Sequence, residues 1–496
     1  MSVIAMNQRR PRGRAAQAAR HVPKKDRGQN RVIPADRNVE LWHTPEGEPW
    51  ASVDGQNWPV RSPQFQQWLF GRTYRDSGKV LTEAKFKGLI SVVAAQATYD
   101  CPEYPVHLRT AEHVGALYLD LADRRGRAVR ITGEGWEIAA APVKFYRPPE
   151  MRPLPEPRRT KSVSAGAELD ELHHLLRLES EADFRLFLTA VTAALRPNGP
   201  YPVVIINGEQ GSGKSVLARM FRHLTDPNAV PFTGPPTNER DLVAKAKNHH
   251  VVAFDNVSGI KEPLADALCR LATGGGLGGR KLYTDTDEAV FLAQRPILLN
   301  GIPDLARRGD LADRALGLTL PPIVPSQRLP EMVLWERFYA AFPVVLGRLL
   351  DIMVLGLKRL PEILGRPQQL PRMADFAVWG MAVAPALGWS EQDFLTAYDA
   401  NRKAGQLSVL ETDPVAEALI RLLEMQDPFE GTATELLDRL NALDPSARSA
   451  PQWPRDAAQM GERVTRLVPA LAARGIAVTR DRSSVRRTIR ISRVAD

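Results

Sequence analysis

The chain has 496 residues, 44% hydrophobic and 25% charged, with a formal net charge of +9 and two cysteines. That length suits about three domains, and without any run of about 18 uninterrupted apolar residues no transmembrane helix is expected. Cys101 and Cys269 stand far apart in unrelated contexts, which excludes a disulfide framework or zinc site and fits a reducing cytoplasm.

Residues 1–37 carry ten cationic residues against Asp26 and Asp36, nearly the whole net charge, and few large apolar residues. This composition predicts a disordered basic tail, either an arm on nucleic-acid phosphates or a solvated extension. Residues 38–147 read as a small α+β domain. A hairpin is predicted from Glu40–His43 and Trp50–Val53, a helix over Pro63–Phe70, and short strands over 105–109, 115–120, 128–132 and 136–138. Trp42, Trp50, Trp58, Trp68 and Trp136 are expected in the core rather than as a stacking platform. Residues 148–166 are proline-rich, then small and polar, as a linker would be.

A helical stretch leads into Val203-Val204-Ile205-Ile206, a short apolar run suited to a buried parallel strand. Gly208-Glu209-Gln210-Gly211-Ser212-Gly213-Lys214-Ser215 follows, then Val216 and a helix-forming run. These residues satisfy G-x-x-x-x-G-K-[ST] at each fixed position, between a strand and a helix. In such a loop the backbone N–H groups cradle phosphates, Lys214 reaches the β- and γ-phosphates, and Ser215 holds Mg²⁺. ATP with Mg²⁺ is the expected ligand pair, in a core spanning 167–325.

A second apolar strand, His250–Phe254, ends in Asp255, the expected metal-side carboxylate. Asn256 follows where a general base is wanted, and an amide cannot accept a proton, so slow hydrolysis or another base (Glu209 or Glu262) is expected. The glycine-rich stretch 271–279 reads as a flexible hinge. Arg280–Tyr283 and Ala289–Leu292 flank an acidic tip as a candidate hairpin. Pro296–Leu299 is a third buried strand, ending in Asn300, placed to sense the γ-phosphate or to cap a turn. Arg314, with Arg307 and Arg308 in reserve, is placed to reach a neighbouring subunit's phosphate or to pair with Asp310 or Asp313.

GEQGSGKS, VVAFDN, the glycine-rich bend with RKLYTD, ILLNGIPDL and DLADRAL follow one another within about 110 residues. In this order they resemble the helicase superfamily 3 ATPases of phage and plasmid replication, which are AAA+-like. The likeness covers roughly 170–325. It implies an α/β P-loop NTPase core, ATP sites between subunits of a hexameric ring, and a hairpin whose Arg280 and Lys281 touch DNA. No primase-polymerase segment precedes the core, so priming is not implied. Residues 326–410 read as helical, and 411–496 as helices followed by a basic β-hairpin. That is the pattern of a winged-helix DNA-binding domain, or of a solvated basic hairpin, with Arg486 and Arg487 among its candidate phosphate contacts. The expected function is an ATP-dependent DNA translocase or helicase of a mobile element, or else a slow nucleotide-gated DNA-binding switch or loader. Its expected partners are DNA, further copies of itself and replication proteins, without a membrane.

Overall fold

The computed structural model describes residues 39–159, 167–257, 259–260, 262–280, 288–301, 309–367, 369–426, 428–450, 453–482 and 487–494. The basic tail, residues 160–166 of the linker, Lys281, Arg307, Arg308 and Arg486 lie outside the described residues. The chain divides into two compact units, Met1–Asp54 with Trp58–Pro102, and Gly55–Asn57 with Glu103–Asp496.

In the first unit β1 (Val39–His43) and β2 (Pro49–Val53) pair antiparallel with Trp42 opposite Trp50. β3 (Gln56–Pro59) lies at the boundary. α1 (Pro63–Ser77) begins where the Ser62 hydroxyl accepts the Phe65 N–H and where proline supplies a helical φ. α2 (Glu83–Asp100) has no counterpart in the sequence expectations; it packs Ile90, Val93 and Ala97 with Phe65, Leu69 and Val53. Trp42 and Trp50 are buried and stacked, and Trp58 and Trp68 pack on this core, so these tryptophans serve packing.

The second unit opens with β4 (Val106–His107) and an antiparallel sheet of β5 (Thr110–His113), β6 (Ala116–Asp120), β7 (Arg127–Thr132) and β8 (Gly135–Ala140). β9 (Lys144–Phe145) then pairs with β4. The stretch 38–147 is therefore not one domain. Leu117, Leu119, Leu121, Val129, Ile131 and Trp136 share a continuous core with the helices that follow, which draws the sheet into the larger unit. The proline-rich segment is extended as expected, but it is packed down rather than free. Met151 and Leu154 are buried, and the N–H groups of Arg152, Leu154 and Arg158 donate to the carbonyls of Pro227, Leu121 and Pro343 at 2.8–3.0 Å.

Next come α3 (Ala167–Leu176) and α4 (Glu181–Ala194), the latter buried along most of its length. The central sheet is built from β10 (Val203–Gly208), then α5 (Lys214–Thr225), α6 (Glu239–Asn248), β11 (Val252–Val257) and α7 (Glu262–Thr273). β12 (Leu277–Arg280) and β13 (Glu288–Phe291) form an antiparallel pair with Arg280 opposite Glu288. The glycine-rich stretch is thus the end of α7 and a strand, not a hinge, because β13 supplies the hydrogen-bonding partner. β14 (Ile297–Gly301), α8 (Gly309–Ala312) and β15 (Ala315–Leu320) complete the core. The sheet is parallel in the order β11-β14-β10-β15. Such a sheet, apolar on both faces, needs helices on each side.

α9 (Glu331–Leu364), α10 (Ala374–Val383) and α11 (Glu391–Thr412) form the helical region. α9 is long and apolar enough to cross a membrane by length and composition, yet half of its most apolar stretch is buried inside the fold, as in a core helix. Leu346, Leu349, Leu350 and Met353 are core residues there, and Asp351 accepts the Trp136 indole N–H at 2.8 Å. The chain ends in α12 (Pro414–Met425), β16 (Phe429–Gly431), α13 (Ala433–Leu443), α14 (Ala457–Ala473), β17 (Ile476–Arg482) and β18 (Arg487–Arg493), with sheet order β16-β18-β17.

Candidate functional site

β10 lies inside the sheet between β14 and β15, with Val203–Ile206 buried on both faces. Ligands of open parallel sheets bind beyond the carboxyl ends of the strands, and β10 ends there in Gly208. Gly211 (φ +81°) and Gly213 (φ +94°) take left-handed conformations, so the loop folds over the end of the strand before α5 starts at Lys214. α5 is held down by Leu217, Met220, Phe221 and Leu224, which fixes where its N-terminus points. The Lys214 ammonium donates to the carbonyls of Gly208 (2.6 Å) and Glu209 (2.7 Å), across the loop.

The strand order sets β14 between β10 and β11, and so sets Asn300 between Ser215 and Asp255. The Asn300 amide nitrogen donates to Ser215 Oγ at 3.1 Å and also to Asp255 Oδ1. Asn300 is 2% exposed, and its Oδ1 is buried with no hydrogen-bond partner. The register of β11 against β14 shifts between Phe254 and Val257, bulging Asp255 and Asn256 outward. Asn256 takes φ +54°, a conformation that asparagine tolerates and longer side chains resist. Gly301 makes the bulge possible: a Cβ there would meet the Val257 carbonyl oxygen at 2.1 Å. Nothing in the sequence marks Gly301 for this role, since its partner is 44 positions away.

Gly208, Glu209, Gln210, Gly211, Gly213, Lys214, Ser215, Val216, Asp255, Asn256, Asn300 and Gly301 line one cleft of about 930 Å³. The loop candidates, Asp255, Asn256 and Asn300 therefore meet there, save that Ser212 lies buried with its hydroxyl unpartnered. A magnesium ion is compatible with these residues. Ser215 Oγ and an Asp255 carboxylate oxygen, the hard donors that this ion prefers, both accept from one nitrogen of Asn300 and so lie on the same side of the cleft.

Arg314 is not part of this cleft. Its carbonyl accepts the Val203 N–H at 3.0 Å, at the opposite end of the sheet from Gly208. Five strand residues separate the two ends, roughly 17 Å. The neighbouring Asp313 carboxylate is held by Arg372 (2.9 Å) and Arg402 (2.6 Å). Arg280 ends β12, and Arg487 begins β18 as an exposed residue opposite Arg482. A buried cluster escaped the sequence reading altogether. Arg109 (0% exposed) donates to Asp226 Oδ1 at 3.1 Å, and Arg222 pairs with the same carboxylate.

Residues 169–403 match the family model described as actinomycete integrative conjugative element replication protein, and residues 415–496 match its RepA C-terminal domain. No protein of curated function matches the chain. Among solved structures, the apo NrS-1 C-terminal region is 12% identical, covering 92% of this chain and 97% of that one at a TM-score of 0.38. A full-length MCM homologue from Methanopyrus kandleri is 13% identical, covering 68% and 89% at a TM-score of 0.30. Over the two matched segments, which follow one another in the order of the family, the chain belongs to the replication proteins of actinomycete integrative conjugative elements.

Proposed function

We propose that this replication protein is an ATP-dependent DNA translocase or helicase acting in the cytoplasm as a ring, with ATP bound between subunits of a hexamer. The observation that carries the reading is Asn300, whose amide touches both Ser215 and Asp255 at the mouth of a glycine-rich loop. In this reading Gly208–Gly213 is a P-loop and Lys214 neutralises the β- and γ-phosphates. Ser215 and Asp255 would hold the magnesium ion, whose chemistry is to balance charge on the phosphates. Asn300 orients the attacking water. Arg314, roughly 17 Å from its own cleft, acts on the cleft of the next subunit. The three C-terminal helices and the β16-β18-β17 sheet serve as a winged helix that presents Arg487 to phosphates.

The test is ATP turnover with and without single-stranded and duplex DNA, in the wild type and Arg314→Ala. DNA should stimulate turnover, and Arg314→Ala should lower it about a hundredfold or more. Mixing Arg314→Ala with Lys214→Ala chains should partly restore it, because each supplies what the other lacks. No DNA stimulation together with unchanged turnover in Arg314→Ala would overturn the motor reading.

A second reading, a slowly hydrolysing nucleotide-gated switch or loader, is favoured by Asn256. Its left-handed backbone suits Asp better than Glu, which costs on the order of 1 kcal/mol more there. Asn256→Asp is therefore expected to raise single-turnover hydrolysis more than Asn256→Glu. Equal and unchanged rates in both would show that this position does not limit hydrolysis.

A further inference from the structure

α2 presents two different faces. Ile90, Val93, Ala94 and Ala97 enter the core of the first unit. Lys85, Gly88, Val92, Ala95, Tyr99 and Asp100 are exposed, Val92 by 48% and Tyr99 by 84%. At 3.6 residues per turn, Gly88, Val92, Ala95 and Tyr99 fall within about 60° of one another around the helix, opposite the core face. No charged residue occurs from Gly88 to Tyr99. A helix that covers one side of a small core ordinarily carries charge on its other side, and one that lacks polar charge all round is covered on both.

Gly88 points the same way. It stands inside the helix, where glycine is destabilising relative to alanine, and a Cβ there would meet nothing within 4 Å. The fold of the chain does not need glycine at this position, whereas the close approach of an outside side chain does. The stripe is self-complementary when a second copy of α2 runs antiparallel across it. In the register that sets Tyr99 of one copy over Gly88 of the other, Val92 of each copy meets Ala95 of the other, so each large side chain faces a small one. The same register brings Lys85 of each copy toward Asp100 of the other, at both ends of the contact. Neither forms an ion pair among the described residues; the neighbouring Glu83 takes Lys87 at 2.7 Å. A contact in which every pairing occurs twice is the pattern of an isologous, two-fold dimer.

We propose that α2 is a dimer contact, through which two copies of this chain pair antiparallel by Gly88, Val92, Ala95 and Tyr99, with Lys85 and Asp100 joined across the ends. An 18-residue helix is about 27 Å long, and one such pair buries less than a standard interface, so the dimer is weak. The contact uses no residue of the proposed ATP site and forms without nucleotide.

The experiment is sedimentation velocity of the full chain over a series of concentrations, with and without magnesium and a non-hydrolysable ATP analogue. Without nucleotide the wild type should dimerise as its concentration rises. Gly88→Leu fills the seat of Tyr99 and should weaken the dimer at least about tenfold, while keeping or raising the thermal midpoint, because leucine is the better helix former. Lys85→Glu and Asp100→Lys should each weaken the dimer about threefold or more, and the double exchange should bring it back to within about twofold of the wild type. A wild type that stays monomeric into the high micromolar range would leave the stripe to this chain's own second unit or to another partner, and would overturn the proposal. So would a dimer unaffected by Gly88→Leu, or a double exchange no better than the single changes. A larger assembly that forms only with the analogue reports the proposed ring, and its absence would count against that reading alone.

Discussion

Replacing Lys214 by alanine is expected to lower ATP turnover at least about a hundredfold, with the fold intact. The ammonium sits over the loop on the Gly208 and Glu209 carbonyls, within the cleft that holds Ser215, Asp255 and Asn300. A fixed positive charge at a developing phosphoryl oxygen contributes about 3–4 kcal/mol to the transition state, and removing one such group costs about 10²–10³ in rate. The side chain contributes no apolar core contact, so the thermal midpoint should hardly move. Steady-state turnover at saturating ATP, beside the midpoint, measures both. Turnover that survives Lys214→Ala would remove the phosphate role from this loop.

The second large effect concerns stability. Asp226 is 1% exposed and lies between Arg109 and Arg222, which are 0% and 2% exposed; its carboxylate also accepts the His250 and Val251 N–H groups at 3.1 and 3.2 Å. Asp226→Asn leaves two buried guanidinium groups without their counter-charge, at a cost of about 3–5 kcal/mol. For a unit of this size that lowers the thermal midpoint by roughly 4–6 °C. Glu171→Gln, which breaks the exposed Arg337 pair, is the control, and should cost no more than about 1 kcal/mol.

The same cluster makes the fold sensitive to acid. Burial raises the Asp226 carboxyl, but Arg222 and Arg109 outweigh it and bring it to about 2, below its ordinary 3.8. Burial, assisted by Arg222, lowers His249 to about 4, and burial lowers His250 to about 4, from the ordinary 6.5. The unfolded chain therefore takes up histidine protons before the folded chain does. Stability is full above pH 6.5, falls as these histidines titrate toward pH 4, and falls again below pH 4 as Asp226 protonates. Denaturant midpoints measured from pH 7.5 to 3.5 should show the first decline beginning near pH 6.5, and a flat profile down to pH 4 would refute it.

Much of the candidate site was legible because its chemistry is written locally. Gly208–Ser215 is one contiguous stretch, and Asp255 and Asn300 each end an apolar run whose strand character is visible from its residues alone. The features that escaped depend on distant partners. Arg109 and Asp226 are 117 positions apart, so no window of sequence pairs them. Prolines at 148–157 signal extended backbone, but not that Met151 and Leu154 would find a core to enter. The glycines before Arg280 suggested flexibility, and only the pairing with β13 makes them a strand. α2 was missed because its buried face is short and small, with Ala94 and Ala97 beside Ile90 and Val93.

Arg109 also bears on where this chain can be cut. The match to the family begins at residue 169, which marks the obvious place to trim the chain. Such a fragment would lack the guanidinium that neutralises Asp226, the β6 and β7 residues Leu119, Val129 and Ile131, and the extended segment that carries buried Leu154. It would expose apolar surface and a buried charge together, and would be prone to aggregate. A piece that starts near Glu103 keeps these contacts and loses only Gly55–Asn57 of its unit, so recombinant boundaries belong there and not at the edge of the recognisable motif.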